Sequence, residues 1–175
     1  MRFSDPEANV EALKLEPSMH VADFGAGTGV YTFAAARRVG NRGKVYAIDI
    51  QPDLLRRIKN ESLARGFDAV EVIWGDVDEP RGSGLPDQSE HAVIISNILF
   101  LADKKEELAK EAFRILKKGG RALVVDWRDS YKNMGPAQES VIREEAAEKI
   151  FVTAGFTIDR HLTAGAHHWG FIARK

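Results

Sequence analysis

The residues best suited to ligand chemistry lie in the stretch VADFGAGTGVY, which runs from Val21 to Tyr31. Three glycines occupy alternate positions after an apolar run, and an aspartate stands two places before the first of them. Glycines let a backbone turn sharply and approach a ligand closely. A helix starting near the last glycine would direct its free N–H groups at that ligand. The candidate contact residues are Asp23, Gly25, Ala26, Gly27 and Gly29.

Two more acids follow the next two apolar runs. Asp49 ends KVYAID and Asp76 follows VEVIWG. A carboxylate at the first position can accept hydrogen bonds from both hydroxyls of a ribose. A carboxylate at the second can accept one from the amine of adenine, with Ile50 and Val77 as apolar walls. The structural alternatives are an N-cap role for Asp49 and a turn role for Asp76.

Two common phosphate-binding patterns fit the glycine stretch poorly. The dinucleotide fingerprint is G-x-G-x-x-G, but position 30 is Val, and the Asp23 carboxylate would repel a pyrophosphate. The Gly-Lys-Ser/Thr sequence of a P-loop does not follow Gly29. A ligand with an ammonium or sulfonium group fits better. A nicotinamide-dependent dehydrogenase is the alternative, and a titration with NAD would distinguish it.

Composition excludes several classes of function. The chain has 175 residues, 44% of them hydrophobic, with 25 basic and 26 acidic side chains and a net charge of −1. One domain is expected, without a general attraction to nucleic acid or anionic membranes. The absence of cysteine excludes disulfides, thiolate metal sites and cysteine nucleophiles. The start lacks the apolar core of a signal peptide, and the longest apolar run is shorter than the ~20 residues of a membrane span. We expect a cytoplasmic protein without membrane insertion.

The chain alternates apolar runs with amphipathic stretches, which favours an α/β doubly wound sheet. Strands are predicted at HVADF, KVYAID, VEVIW, HAVIIS and RALVVDW. Helices are predicted at Pro6–Leu13, Tyr31–Val39, Pro52–Arg65 and Lys104–Lys118, the last with Asp103 as N-cap and Gly119 as stop. A helix at Glu139–Ala154 precedes FTIDRHL and HHWGFIAR. Because only TAGA separates these last two runs, they should pair antiparallel.

In this order and at these intervals, VADFGAGTG, VYAIDI, GDVDEP, HAVIISNILF and LKKGGRALVVDW resemble the class I S-adenosylmethionine-dependent methyltransferases. The resemblance implies a Rossmann-like seven-stranded sheet of order 3-2-1-4-5-7-6 with strand 7 antiparallel. Residues 1–175 would form a single domain: a helical segment at 1–18, a cofactor-binding core at 19–127, and a C-terminal helix and strand pair at 128–175.

The resemblance also implies roles for individual residues. Asp23 and the three glycines would surround the methionine part of S-adenosyl-L-methionine. Asp49 would hold the ribose, and Asp76 with Val77 the adenine. Ser96 and Asn97 would face the methionine and the methyl acceptor, although Asn97 could equally be a turn residue.

Residues for the acceptor are less clearly marked. Trp127, Arg128 and Tyr131 could form a wall of its pocket, and His168 and Asp126 are the candidates for a base. Neighbouring side chains on a strand point to opposite faces, so His167 and His168 do not predict a metal site. The loop from Arg128 to Glu139, with Tyr131, Met134 and Pro136, is the one sizeable candidate lid. The site should therefore be open, which suits a large acceptor or a lid completed by a second subunit in a homodimer.

The sequence thus predicts methyl transfer to an unidentified acceptor, a small molecule or a lipid-like compound. A protein or RNA methyltransferase is the first alternative, since ARRVGNRGK and LLRRIK could form a basic rim, although nucleic acid is not the favoured partner. A non-catalytic subunit that binds S-adenosylmethionine is the second. The lack of cysteine distinguishes the chain from arsenite methyltransferases, which use thiols.

Overall fold

A central sheet of seven strands forms the core of the computed structural model, which describes residues 4–131 and 135–175. The strands are β1 (His20–Phe24), β2 (Lys44–Asp49), β3 (Val70–Trp74), β4 (Glu90–Ser96), β5 (Leu116–Trp127), β6 (Thr157–Leu162) and β7 (His168–Arg174). Their spatial order is β3-β2-β1-β4-β5-β7-β6. β1 to β5 pair in parallel, and β7 runs antiparallel to β5 and β6. The predicted order and the antiparallel strand 7 are confirmed.

Helices cover both faces of this sheet. They are α1 (Pro6–Glu11), α2 (Val30–Val39), α3 (Pro52–Arg65), α4 (Lys105–Ile115) and α5 (Glu144–Thr153). Val10, Phe33 and Ile58 belong to the buried cluster on the face that carries α1, α2 and α3. Leu108 and Phe151 belong to the cluster beneath α4 and α5. Because both faces are covered, the central strands are continuous apolar runs rather than alternating ones.

The predicted helix Lys104–Lys118 is wrong at its C-terminal end. α4 ends at Ile115, and KKGG lies within β5. The pairing of β4 with β5 shifts between Glu90 and Ala92, so that residues 117–120 form a bulge. The buried apolar residues Ile115 and Leu116 suit a helix end and a strand start equally, so their pattern could not fix the boundary.

The N-terminus of α4 is capped from another loop, and the prediction of Asp103 as its N-cap is wrong. The N-cap position is Lys104. The Asp78 carboxylate, in the loop after β3, accepts the amide hydrogens of Asp103 at 2.8 Å and Lys104 at 3.4 Å. A carboxylate there satisfies amides at the positive end of the helix dipole. It also ties the loop after β3 to the segment before α4.

Two further boundaries differ from the prediction. α1 is shorter than Pro6–Leu13, and the predicted helix Glu139–Ala154 divides into a 3₁₀ turn at Gln138–Ser140 and α5. Met134 of the candidate lid lies outside the described residues. Within the described ranges, no helix combines the length and the apolar character needed to cross a membrane.

Candidate functional site

A cleft lies at the carboxyl edge of the sheet, where the strand order reverses between β1 and β4. Open α/β sheets bind ligands at such a switch point. The cleft has a volume of about 240 Å³. Seven of the eleven predicted cofactor-binding residues line it: Gly25, Gly27, Asp49, Ile50, Asp76, Val77 and Asn97.

The glycine loop forms one wall, and its backbone conformation requires glycine. Gly25, Gly27 and Gly29 have φ values of +65°, +55° and +83°. A Cβ on Gly25 would lie 2.4 Å from the Ile98 Cδ1 atom, so the loop packs tightly there. A Cβ on Gly27 would meet nothing closer than the Gly25 carbonyl oxygen at 3.8 Å. The space beside Gly27 is therefore open for a ligand to approach the backbone.

Asp49 is the most firmly held polar group of the cleft. One carboxylate oxygen accepts the Gly27 amide hydrogen at 2.9 Å, and the other accepts that of Gln51 at 2.9 Å. The N-cap of α3 is Gln51, so the alternative prediction of Asp49 as N-cap is wrong. Each carboxylate oxygen has a further lone pair for a ligand. Asp49 thus joins the glycine loop to the end of β2 and retains acceptor capacity.

The charged residues of the lining all carry the same sign. They are Asp49, Asp76 and Asp78, and no Lys, Arg or His is among the described lining residues. An Asp76 carboxylate oxygen accepts the Asp78 amide hydrogen at 3.0 Å, so Asp76 also has the turn role that was the structural alternative. Negative charge of this kind favours a cationic ligand and repels a pyrophosphate.

Asp23, Ala26, Gly29 and Ser96 are not among the lining residues. The Asp23 side chain is buried, and the Thr32 hydroxyl donates a hydrogen bond of 2.6 Å to it. Burial raises the pKa of this carboxyl to about 7, and the neighbouring charge of Asp49 acts in the same direction. Asp23 therefore supports the glycine loop from within the fold.

The end of β4 presents unsatisfied polar atoms. Asn97 has a φ of +54°, a left-handed conformation that asparagine tolerates better than most residues. Its Oδ1 atom and the Ser96 Oγ atom are buried and have no hydrogen-bond partner among the residues that the structure describes. Buried polar groups normally have partners. A polar ligand in the cleft is one way to supply a partner for Asn97.

A known family of proteins matches most of this chain. A family model described as a methyltransferase domain matches residues 15–162. This chain belongs to that methyltransferase family. A SAM-dependent methyltransferase from Aquifex aeolicus has a similar structure, with a TM-score of 0.88 and 26% identity over 98% of this chain and 90% of that one.

Curated relatives of this methyltransferase domain are longer proteins. The ubiquinone/menaquinone biosynthesis C-methyltransferase UbiE of Xanthomonas oryzae pv. oryzae is 32% identical over 69% of this chain and 47% of the relative. The arsenite methyltransferase of Halobacterium salinarum is 29% identical over 64% of this chain and 28% of the relative. The chain spans less than half the length of these relatives.

The two candidate bases do not lie in the cleft of the methyltransferase domain. One Asp126 carboxylate oxygen accepts the Leu99 amide hydrogen at 2.9 Å and the other that of Trp127 at 2.7 Å, and the side chain is fully buried. Burial raises its pKa to about 6. His168 is also buried, with its ring 4.4 Å from the Trp127 ring. Asp126 thus holds the segment after β4, and His168 packs between strands.

The predicted acceptor residues contact His167 and His168 at the start of β7. The Tyr131 ring lies 4.1 Å from the His167 ring, which also hydrogen-bonds to Asp129 at 2.8 Å. The Arg128 side chain is exposed, while its amide donates to the His167 carbonyl oxygen at 2.8 Å. Trp127, Arg128 and Tyr131 are absent from the described lining of the cleft. Their role towards the acceptor stays a prediction.

Sequence reasoning missed several lining residues. Ile98, Leu101 and Ala102 follow Asn97 directly, and their apolar run SNILFLA was the available signal. Leu101 and Ala102 also line a second cavity of about 540 Å³, between the loop after β4 and residues 139–146. That cavity adjoins the cleft.

A group of possible metal ligands was also missed. The side chains of Glu144, Glu148 and His161 converge with ligand atoms within 4.8 Å of one another. His161 and Glu148 form an ion pair of 2.7 Å, and this contact raises the pKa of the imidazole. The group is partly exposed and lies on α5 and β6, outside the cleft lining.

Proposed function

We propose that this chain is an S-adenosylmethionine-dependent methyltransferase that modifies a small-molecule or lipid-like acceptor. The observation that carries the proposal is the glycine-walled cleft whose charged lining residues are all aspartates. A ligand for this cleft should carry positive charge and sugar hydroxyls. S-adenosylmethionine has both, with an ammonium, a sulfonium and a ribose.

The residues present suit this cofactor. Asp49, fixed by two backbone amides, would accept the ribose hydroxyls. Asp76 and Val77 would hold the adenine, with Ile50 as an apolar wall. The glycine loop would bring its backbone against the methionine part, and the unsatisfied amide oxygen of Asn97 would accept a hydrogen bond there.

The chemistry makes few demands on the protein. When bound, the cofactor supplies an activated methyl group for in-line displacement from its sulfonium. The chain must hold the acceptor on the methyl axis and keep water away, which accounts for much of such a rate enhancement. Asp126 contributes by fixing the amide of Leu99 and hence the loop that forms one wall. A base is not required for an acceptor that is already nucleophilic.

The second cavity supports a small or lipid-like acceptor. Phe100, Val141 and Ile142 give it apolar surface, and it meets the cofactor cleft at Leu101 and Ala102. Charged groups of both signs also line it, from Asp103, Lys105, Glu139 and Arg143. Its volume of about 540 Å³ suits a drug-sized molecule. The relative named for ubiquinone/menaquinone biosynthesis supports the same class of acceptor.

The alternative of an RNA acceptor gains little from the basic stretches. Arg37 and Arg38 pair with Glu7 and Glu11 on α1. On α3, Arg56 of LLRRIK pairs with Asp53, three residues before it. Because these three arginines are paired within the chain, they favour a solvated face over a phosphate-binding rim.

We also propose that a second subunit covers the exposed side of the cleft. Ile50 and Leu101, two apolar lining residues, are 57% and 68% exposed there. Apolar side chains at the rim of a ligand site gain most when a partner removes them from water. Light scattering with and without cofactor tests this homodimer, and a monomer under both conditions would contradict it.

Calorimetric titration tests the proposed function. S-adenosylmethionine and S-adenosylhomocysteine should bind with micromolar dissociation constants, whereas NAD should not bind. Release of S-adenosylhomocysteine in the presence of quinone-like, polyketide-like or lipid-like acceptors would then distinguish an enzyme from a non-catalytic subunit. Binding of NAD in preference to S-adenosylmethionine would refute the proposal.

A further inference from the structure

A small cavity at the amino edge of the sheet, opposite the cofactor cleft, has a basic lining. Its volume is about 200 Å³. The ionisable residues that line it are His91, Lys117, Lys118 and Arg121, and no acid occurs among the lining residues within the described chain. Leu13 and Met19 contribute apolar surface. The cavity thus combines several cationic groups with an apolar wall.

The bulge at residues 117–120 builds this cavity. Gly119 has a φ of +79° and donates its amide hydrogen to the Lys175 carbonyl oxygen at 3.0 Å. The Lys175 amide donates a hydrogen bond of 3.0 Å to the Gly120 carbonyl oxygen. These bonds hold the bulge against the C-terminus and present Lys117 and Lys118 at the strand start. Bulges commonly redirect side chains in this way.

The hydrogen bonds of His91 create a conflict inside the cavity. Its Nδ1 atom accepts the His20 amide hydrogen at 2.9 Å, so Nδ1 carries no proton. Burial and the charge of Lys117 lower the pKa of His91, which favours the neutral ring. A neutral ring with a bare Nδ1 carries its proton on Nε2. Nε2 lies 3.0 Å from the Lys117 ammonium nitrogen, so two donors face each other without an acceptor between them.

We propose that this cavity binds a phosphoryl group, free or on an apolar carrier. A phosphate oxygen that takes the place of the Lys117 ammonium beside Nε2, with the lysine side chain moved aside, would accept hydrogen bonds from both donors and relieve their conflict. The Arg121 guanidinium is held in place by a 3.0 Å hydrogen bond to the Leu13 carbonyl oxygen and adds positive charge. Leu13 and Met19 would contact an alkyl or aromatic carrier.

Two acids are adjacent in sequence to lining residues: Glu16, which is exposed, and Glu90, which is buried. Glu90 precedes His91. It is 1% exposed and is not a lining residue. Burial raises its pKa to about 7, and Lys117 acts in the opposite direction. Glu90 is thus only partly ionised near neutral pH. It therefore does not fully neutralise the basic groups of the cavity, which can bind an external anion.

Titration with inorganic phosphate and with butyl phosphate, at constant chloride ionic strength, tests the site. We expect a dissociation constant below about 1 mM, and at least roughly a tenfold loss of affinity in Lys117→Met, because charge-assisted hydrogen bonds are the strong ones. Lys149→Met, at an exposed lysine of α5, is the matched control and should not change it. Tighter binding of butyl phosphate indicates a carrier, and equal binding indicates the free ion.

Nitrogen NMR of the histidine rings provides a readout besides affinity. His91 should be the neutral Nε2–H tautomer, and its Nε2 resonance should shift when phosphate is added. The proposal is overturned if phosphate does not bind at about 10 mM. It is also overturned if Lys117→Met and Lys149→Met weaken binding equally, or if the His91 resonances do not respond.

Discussion

The two edges of the sheet carry opposite charges. At the carboxyl edge the charged cleft residues are Asp49, Asp76 and Asp78. At the amino edge the cavity contains Lys117 and Arg121 together with other basic groups. A parallel sheet gathers all strand ends on one side and all strand starts on the other. The acidic cleft and the basic cavity therefore lie at opposite edges of the sheet.

The edges also differ in how their charges are held. Asp49 accepts two backbone amide hydrogens and Asp78 accepts two more, so these acids are fixed before any ligand arrives. At the amino edge, Lys117 faces the donor nitrogen of His91. The acidic edge is thus preorganised, while the basic edge has an unfavourable contact. Neutralising one of these fixed acids should weaken the binding of S-adenosylmethionine and lower the free energy of unfolding. Neutralising Lys117 should not lower the free energy of unfolding.

The largest effect is expected for Asp49→Ala. Two charge-assisted hydrogen bonds to the ribose would be lost, which corresponds to roughly 3–4 kcal/mol, or a 10²–10³-fold weaker affinity for S-adenosylmethionine. Calorimetry measures this change. Asp53→Ala, at an exposed acid in the first turn of α3, is the control and should bind normally. A change of less than about threefold in Asp49→Ala would remove this residue from the cofactor site.

Asp23 should give the acidic edge a pH-dependent stability. Its pKa is raised from 3.8 to about 7, so the folded state binds a proton more tightly than the unfolded state. The free energy of unfolding should therefore fall as the pH rises from about 4 to about 7. Above that range, Asp23→Asn should be more stable than the native chain by on the order of 2–3 kcal/mol.

Urea unfolding at a series of pH values measures that gain. In Asp23→Asn the free energy of unfolding should still fall as the pH rises, but less steeply, because the pKa values of Asp126 and Glu90 are also raised. If the two proteins differ by the same free energy at every pH, the buried carboxyl is not the source.

Gly25→Ala should destabilise the glycine loop by about 2–3 kcal/mol, from left-handed backbone strain together with overpacking against Ile98. Gly66→Ala is a matched control, because Gly66 has the left-handed angles φ +70° and ψ +29° and no atom lies within 4 Å of the position that an added Cβ would take. It should cost only about 1 kcal/mol. Thermal unfolding of both variants gives the difference. Equal losses would show that close packing against Ile98 is unimportant.

The smallest effect is expected at the basic edge. Without phosphate, Lys117→Met should have a free energy of unfolding within about 0.5 kcal/mol of the native chain, or slightly above it. The reason is that the substitution removes one of two opposed hydrogen-bond donors. Urea unfolding in phosphate-free buffer measures this. A loss of more than about 1 kcal/mol would mean that the lysine is well paired and that the two edges are alike.

Local signals explain what could be predicted from the sequence. The glycine loop, the strands and α3 follow from apolar runs, glycine spacing and a proline at the helix start, which all act within a few residues. The capping of α4 by Asp78 could not be found in this way, because the donors and the acceptor come from different loops. The burial of Asp126 depends on the register of β5 and on its hydrogen bond from the Leu99 amide. Both involve residues that are distant in the sequence.

The sequence predicted part of the cleft lining, and the chemistry of the cleft stays a prediction. Asp49 and Asp76 were identified because strand ends in a parallel sheet share an edge. Ile98 and Leu101 were missed, since a segment that returns over the cleft after β4 has no periodic pattern. KKGG was assigned to a helix end, because a bulge and a glycine stop have the same residue types.

Amide NMR during a titration with S-adenosylhomocysteine is the sharpest test of the acidic cleft as the cofactor site. We expect the largest shifts at Gly25, Gly27 and Gln51, with little change at residues 117–121. Binding that shifts the basic edge and leaves the glycine loop unchanged, or no binding at all, would contradict the assignment.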